Sequence, residues 1–194
     1  MKQLLLALLM IPCLGQTDKY APTQLAWEKN NPQAFYWTQE LRYQINQSLP
    51  DLEEADDIQE WCSTYHSMDT FGRVDVWATL FVSVAYYESS YDPENSYTES
   101  NGIDSLGLFQ LSTPDDMPWC NHKTRADLFD PINNIKCAVP LMAGLISEDR
   151  TVAQGYNGAT AKGAAKYWST MRGGTYQGHR VQQIKNTVQK YCAR

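Results

Sequence analysis

The sequence predicts a mainly α fold with one small irregular or β-hairpin patch in its middle. Three observations carry this reading. Apolar residues recur at helical spacing through five stretches, 23–49, 74–88, 133–148, 160–171 and 179–192. Between the second and third, residues 92–107 are dense in Pro, Asn, Ser, Asp and Gly, which favours loop or hairpin over helix. The composition, 43 % apolar and 20 % charged over 194 residues, is that of a single globule able to bury a core.

The elements follow in chain order. Residues 1–15 combine Lys2, a Leu-rich stretch and Gly15, the layout of a cleaved signal peptide too short to span a bilayer. That reading places the mature protein in the periplasm or outside the cell. Cys13 within it is a weaker alternative, a lipid-attachment site, because Pro rather than a small residue precedes it. Residues 16–72 read as an N-terminal helical extension. Its first helix is split by "NNP", closed by a turn at Pro50, and followed by "DLEEADD", acids suited to a helix N-terminus. Residues 73–194 form the main domain. Its clearest helix, 74–88, sets Trp77, Phe81, Val84 and Glu88 on one face. No later apolar run is long enough for a membrane helix.

Four cysteines remain beyond the leader, Cys62, Cys120, Cys137 and Cys192, and an even set in an exported chain favours disulfides. Four cysteines allow three pairings. The favoured one joins Cys120 to Cys137 over a short loop and Cys62 to Cys192 from early to late chain.

Net charge is −6, and −7 once Lys2 leaves with the leader. Such a chain is a poor nucleic-acid binder, since phosphate neutralisation needs Lys and Arg. Serine-hydrolase chemistry is disfavoured because the glycines of "GIDSLG" are one residue too far apart for a nucleophile elbow. His66, His122 and His179 lack zinc-ligand spacing, and "DPENSYTESNGID" lacks the register of a calcium loop. No metal or cofactor is expected.

Glu88 ends an apolar stripe, where a carboxyl is poorly solvated. Desolvation raises a carboxyl pKa, and an acid still protonated near neutrality can serve as a general acid. The competing reading is a glutamate that turns outward as its helix ends.

Four motifs decide between them. "ESSYDP" at 88–93, "GLFQ" at 107–110, "DPINNI" at 130–135 and "GYNGA" at 155–159 occur in the order of the lytic transglycosylases with a goose-type lysozyme-like fold. The chain resembles that family over about residues 74–192. The resemblance implies an α+β lysozyme-like domain that cuts the β-1,4 bond between N-acetylmuramic acid and N-acetylglucosamine in peptidoglycan. It makes Glu88 the general acid and base. Ser89, Gln110, Tyr156 and Asn157 become the implied substrate-binding set. In detail, Ser89 steadies the turn, Gln110 bonds the sugar, Tyr156 brings its hydroxyl near Glu88, and Asn157 buttresses the loop.

A transglycosylase needs no second carboxylate. A hydrolysing lysozyme of this fold, acting on normal or deacetylated wall, would use Asp104 or Glu99. The acidic net charge is what suggests a less anionic glycan. The rival from another class is a non-catalytic glycan-binding protein. Tyr97, Trp119, Trp168 and Tyr176 are weaker candidates for stacking on sugars. A monomer is expected. The sequence departs from the family pattern in a longer interval from Glu88 to Gln110, a late Pro114, the Cys120–Cys137 loop, and residues 16–72.

Overall fold

The computed structural model describes residues 24–112, 120, 124–174 and 178–194. The leader, Cys13, Pro114, Trp119, His122 and Tyr176 lie outside these residues.

Among the described residues six α-helices dominate, the longest of them α3 (Thr70–Ser89). Asp69 caps its start by accepting a bond from the Gly72 N–H at 2.8 Å, which explains the break before it. The expected stripe is real but too narrow a description. Val76, Ala78, Leu80, Val82 and Ala85 are buried as well as Trp77, Phe81 and Val84. A helix apolar all round must be covered all round. α1 (Ala34–Leu52) and α6 (Gly178–Cys192) both pack on α3, and α5 (Pro131–Asp149) packs along α1. One hydrophobic core runs from Leu25 through α3 and α5 to Tyr191. Helix α1 is tied to α3 by a two-pronged ion pair, Arg42 Nε to Asp75 Oδ1 at 2.7 Å and Nη2 to Oδ2 at 3.2 Å.

The patch after α3 is a three-stranded antiparallel sheet. β1 (Ser96–Thr98) pairs with β2 (Asp104–Leu106), and β2 with β3 (Leu111–Ser112), in the register Tyr97 opposite Ser105 and Leu106 opposite Leu111. The short α4 (Arg125–Phe129) leads into α5, whose Asp130 caps the Asn133 N–H at 2.9 Å with Pro131 in the first turn.

The structure corrects three expectations. Pro50 does not end α1, which runs on to Leu52, because a proline in a final turn forfeits a single backbone bond. The acids of "DLEEADD" do not serve the four-residue helix α2 (Ile58–Trp61) that follows them. Asp57 instead accepts from the Val152 N–H at 2.8 Å and the Thr151 hydroxyl at 2.7 Å, while Glu54 and Asp56 hold Arg150. Residues 160–171 are not a helix. A strand pair, β4 (Ala153–Gln154) with β5 (Lys162–Gly163), is followed by 3-10 turns at Ala164–Lys166 and Ser169–Met171. The Gly163 N–H bonds the Asp149 carboxylate at 2.8 Å and φ at Gly163 is +58°, so the chain cannot enter a helix there.

Both disulfides form as favoured. Cys62–Cys192 spans a separation of 130 residues and Cys120–Cys137 one of 17. No described helix is long and apolar enough to cross a membrane.

Candidate active site

The end of α3 delivers Glu88 to a cavity of about 790 Å³. The turn that follows is unusual, with Ser90 at φ +56° and Tyr91 at φ +68°. A left-handed tyrosine needs surrounding packing to hold it. Here the Tyr91 ring sits edge-on to Trp27, 6.3 Å between centroids, and tilted against Tyr86 at 5.5 Å. The first described turn of the extension therefore braces the turn beside Glu88.

The opposite wall is the sheet and its closing turn. Tyr97, Glu99, Ser105, Gln110 and Ser112 face the cavity. Gln110 is nearly buried, with φ +49°, and its amide donates to the Asn95 carbonyl at 3.1 Å and the Gly107 carbonyl at 2.9 Å. Its NH₂ thus holds the loop while the residue lines the cavity. Asn134, fully buried, anchors the same turn. It accepts from the Phe109 N–H at 2.9 Å and donates to the carbonyls of Leu106 and Leu128 at 3.0 and 2.8 Å. Gly107 makes this possible, since a Cβ there would lie 2.3 Å from the Leu128 oxygen and 2.5 Å from the Asn134 amide nitrogen. Two of the four motifs are in this way one packed unit.

The third wall, of which the sequence suggested Trp168 alone, is the strap 167–172 with Arg180 of α6. It is pinned to the sheet side. The Trp168 indole donates to the Phe109 carbonyl at 2.9 Å, and the Tyr167 hydroxyl accepts from the Ser112 N–H at 2.8 Å. From this strap the buried Thr170 hydroxyl donates a short bond to the Glu88 carboxylate.

Burial pushes the Glu88 carboxyl up to about 7, with Glu99 adding to the rise. The Thr170 bond, Arg180 and Arg172 oppose it. A carboxyl raised in this way can both give a proton and take one back near neutral pH.

The implied residues separate. Glu88, Gln110 and Glu99 share the cavity. Ser89 is buried and gives its hydroxyl to the Ala85 carbonyl at 3.1 Å, off the cavity wall. Asp104 points elsewhere, bonded to the Thr98 hydroxyl at 2.6 Å and paired with Arg125. Tyr156 is 67 % exposed and lines a second cavity of about 430 Å³, where its ring lies over Gly174. Thr170 holds the contact to Glu88 that the resemblance gives to Tyr156. Asn157 ties its own loop, accepting from the N–H groups of Ala159 and Thr160, both at 3.1 Å. Trp168 is buried yet contributes to the cavity wall, and Tyr97 is exposed beside it. Among the described residues, no group of three or more His, Cys, Asp or Glu side chains could hold a metal ion.

Comparison with known proteins agrees with this geometry. Residues 72–174 match the family model "Transglycosylase SLT domain". The solved structure of wild-type DslA is similar at TM-score 0.74 and 28 % identity, covering 84 % of this chain and 93 % of that one. Two DslA variants, each carrying a glutamate-to-glutamine substitution, are similar at TM-scores of 0.74 and 0.73 and 27 % identity. They cover 87 % and 84 % of this chain and 97 % and 92 % of their own. No curated protein sequence matches. The chain belongs to the lytic transglycosylase (SLT) family, enzymes that cleave the glycosidic bonds of peptidoglycan.

Proposed function

We propose that this enzyme cuts the bond between N-acetylmuramic acid and N-acetylglucosamine with Glu88 as its single acid and base, releasing a 1,6-anhydro end. One observation carries the reading. The Glu88 carboxyl faces a sugar-sized cavity, is raised to about 7, and is held in place by Thr170.

Protonated Glu88 gives its proton to the bridging oxygen as the glycosidic bond breaks. The resulting carboxylate then lies against the cationic sugar and takes the proton of the muramoyl 6-hydroxyl as that oxygen closes onto C1. No water enters, and the acid returns to its starting state. Gln110 and Tyr97 line the path of the glycan. Export follows from the substrate, which lies outside the cytoplasm, and two disulfides fit an oxidising compartment.

A second reading is hydrolysis with Glu99 as the base. Glu99 faces the same cavity, accepting from the Ser105 hydroxyl at 3.2 Å. The two substituted glutamates of the DslA variants are also eleven positions apart, the interval from Glu88 to Glu99. Asp104 has no comparable claim, being paired with Arg125.

Mass analysis of digested peptidoglycan separates the two. Products one water lighter, absent with Glu88→Gln, support the transglycosylase. Reducing-end products that vanish with Glu99→Gln support the lysozyme. Binding without products from any wall preparation overturns both in favour of a glycan-binding protein.

A further inference from the structure

The seven arginines of the chain divide unevenly. Arg42 pairs with Asp75, Arg73 with Glu53, Arg125 with Asp104, and Arg150 with Glu54 and Asp56. Arg194 is exposed. The remaining two, Arg172 and Arg180, line the cavity beside Glu88, and neither forms an ion pair among the described residues. Acids are not scarce, since the chain carries 22 against 16 Lys and Arg.

Arg172 is fixed without being neutralised. Its Nε donates to the Ala165 carbonyl at 2.8 Å and its Nη2 to the Lys166 carbonyl at 3.1 Å. These bonds orient the guanidinium plane and leave further N–H groups for another acceptor. Arg180 stands in the first turn of α6, partly buried, where its charge acts on Glu88 and Tyr87 across the cavity. Two like charges on one concave wall are incompletely solvated, and although both act on Glu88, neither it nor Glu99, the acids of the same cavity, pairs with them directly. An anion placed between them relieves that cost for both, and the planar fork of a guanidinium fits a carboxylate best.

The geometry points to a carboxylate-binding subsite, formed by Arg172 and Arg180 next to the cleavage position, that takes an acidic substituent of the glycan. The inference rests on the glycan-cleavage reading above. The sugar rings of an acetylated strand are neutral, so the acid must come from the muramyl substituent. A strand without peptide offers the free lactyl carboxylate. A strand with peptide has that group amidated and offers stem-peptide carboxylates. Either source puts the muramyl side of the cut against the strap and α6, and the neutral sugar toward the sheet.

The test compares the full-length mature protein with its Arg180→Gln and Arg172→Gln forms on three substrates. These are peptide-free strands, the same strands with the lactyl carboxylate converted to a methylamide, and peptide-bearing strands. A charge-assisted bond lost from the complex lowers kcat/KM about 10- to 100-fold, chiefly through KM. The expected result is that loss on peptide-free strands, no further loss from the variants on methylamide strands, and a matching loss for wild type between those two substrates. Loss confined to peptide-bearing strands assigns the stem carboxylates instead. An equal loss on all three substrates, or none on any, overturns the subsite. Calorimetry keeps the outcome separate from the cleavage reading. Peptide-free muramyl disaccharide is titrated into Glu88→Gln with and without Arg180→Gln. If wild type cleaves nothing yet the disaccharide binds more weakly without Arg180, the subsite stands and the cleavage reading falls.

Discussion

Two cavities lie on either side of residues 170–173, at the end of the strap. Thr170 and Arg172 face the first, whereas Met171 and Gly173 face the second. Both are lined by polar and aromatic groups, yet their charges are treated differently. In the second cavity Lys185 pairs with Glu60 at 3.0 Å and lies 5.6 Å from the centre of the Trp61 ring, while Asp57 is fully engaged with Thr151 and Val152. In the first, Glu88 takes its hydrogen bond from a neutral hydroxyl, and Arg172 and Arg180 act on it through charge without either forming an ion pair among the described residues. Paired charge tells of architecture, and charge left uncompensated tells of a site that awaits a ligand.

The sharpest way to break this contrast is Glu88→Gln. We expect wall-digesting activity to fall by at least about 10³-fold, which a turbidity assay on purified peptidoglycan reads directly. The same variant should be more stable than wild type in alkali. A carboxyl raised in the folded state to about 7 from 4.5 binds protons that the unfolded chain has released. Its contribution therefore worsens as pH rises between those values. Thermal melts at pH 8 should favour the variant by on the order of 3 kcal/mol, with the difference gone at pH 4.

Next comes Thr170→Val. Removing a bond that lowers the Glu88 pKa moves the alkaline limb of kcat/KM to higher pH. Loss of orientation costs about tenfold in kcat. Glu99→Gln should move the same limb the other way, because Glu99 raises the Glu88 pKa. Limbs that shift together, or that stay fixed, contradict the electrostatic account. In the second cavity, Asp57→Ala should lower stability by about 1–3 kcal/mol in urea melts and leave kcat/KM within a few-fold of wild type. The smallest effect is expected from Tyr156→Ala, within about twofold in kcat/KM. A tenfold loss there would join the two cavities into one site.

The sequence is most readable where a short segment settles its own structure. Helix α3 announced itself through a largely apolar run at helical spacing, and Gly107 with Asn134 through motifs whose partners lie on neighbouring elements. Residues 160–171 misled because Ala and Lys favour helix locally, whereas the β4–β5 pairing and the Asp149 bond to Gly163 set the backbone there. Thr170, Arg172 and Arg180 went unseen for the same reason. Thr170 meets Glu88 across 82 positions, and neither residue signals the other. Glu99 and Asp104 were indistinguishable as loop acids. Only folding the hairpin turned one toward the cavity and gave the other to Arg125.

The Cys62–Cys192 bond joins the segment after α2 to the last turn of α6 across 130 positions. In the chain-entropy picture, a loop of that length restricts the unfolded ensemble by on the order of 5 kcal/mol. The loop encloses Glu88, the sheet, the strap and Arg180 together, so every wall of the cleft lies between its two thiols. A polypeptide kept reduced, or delivered only as far as the strap, cannot close that loop. The restraint on the cleft is therefore one that only an oxidising environment completes.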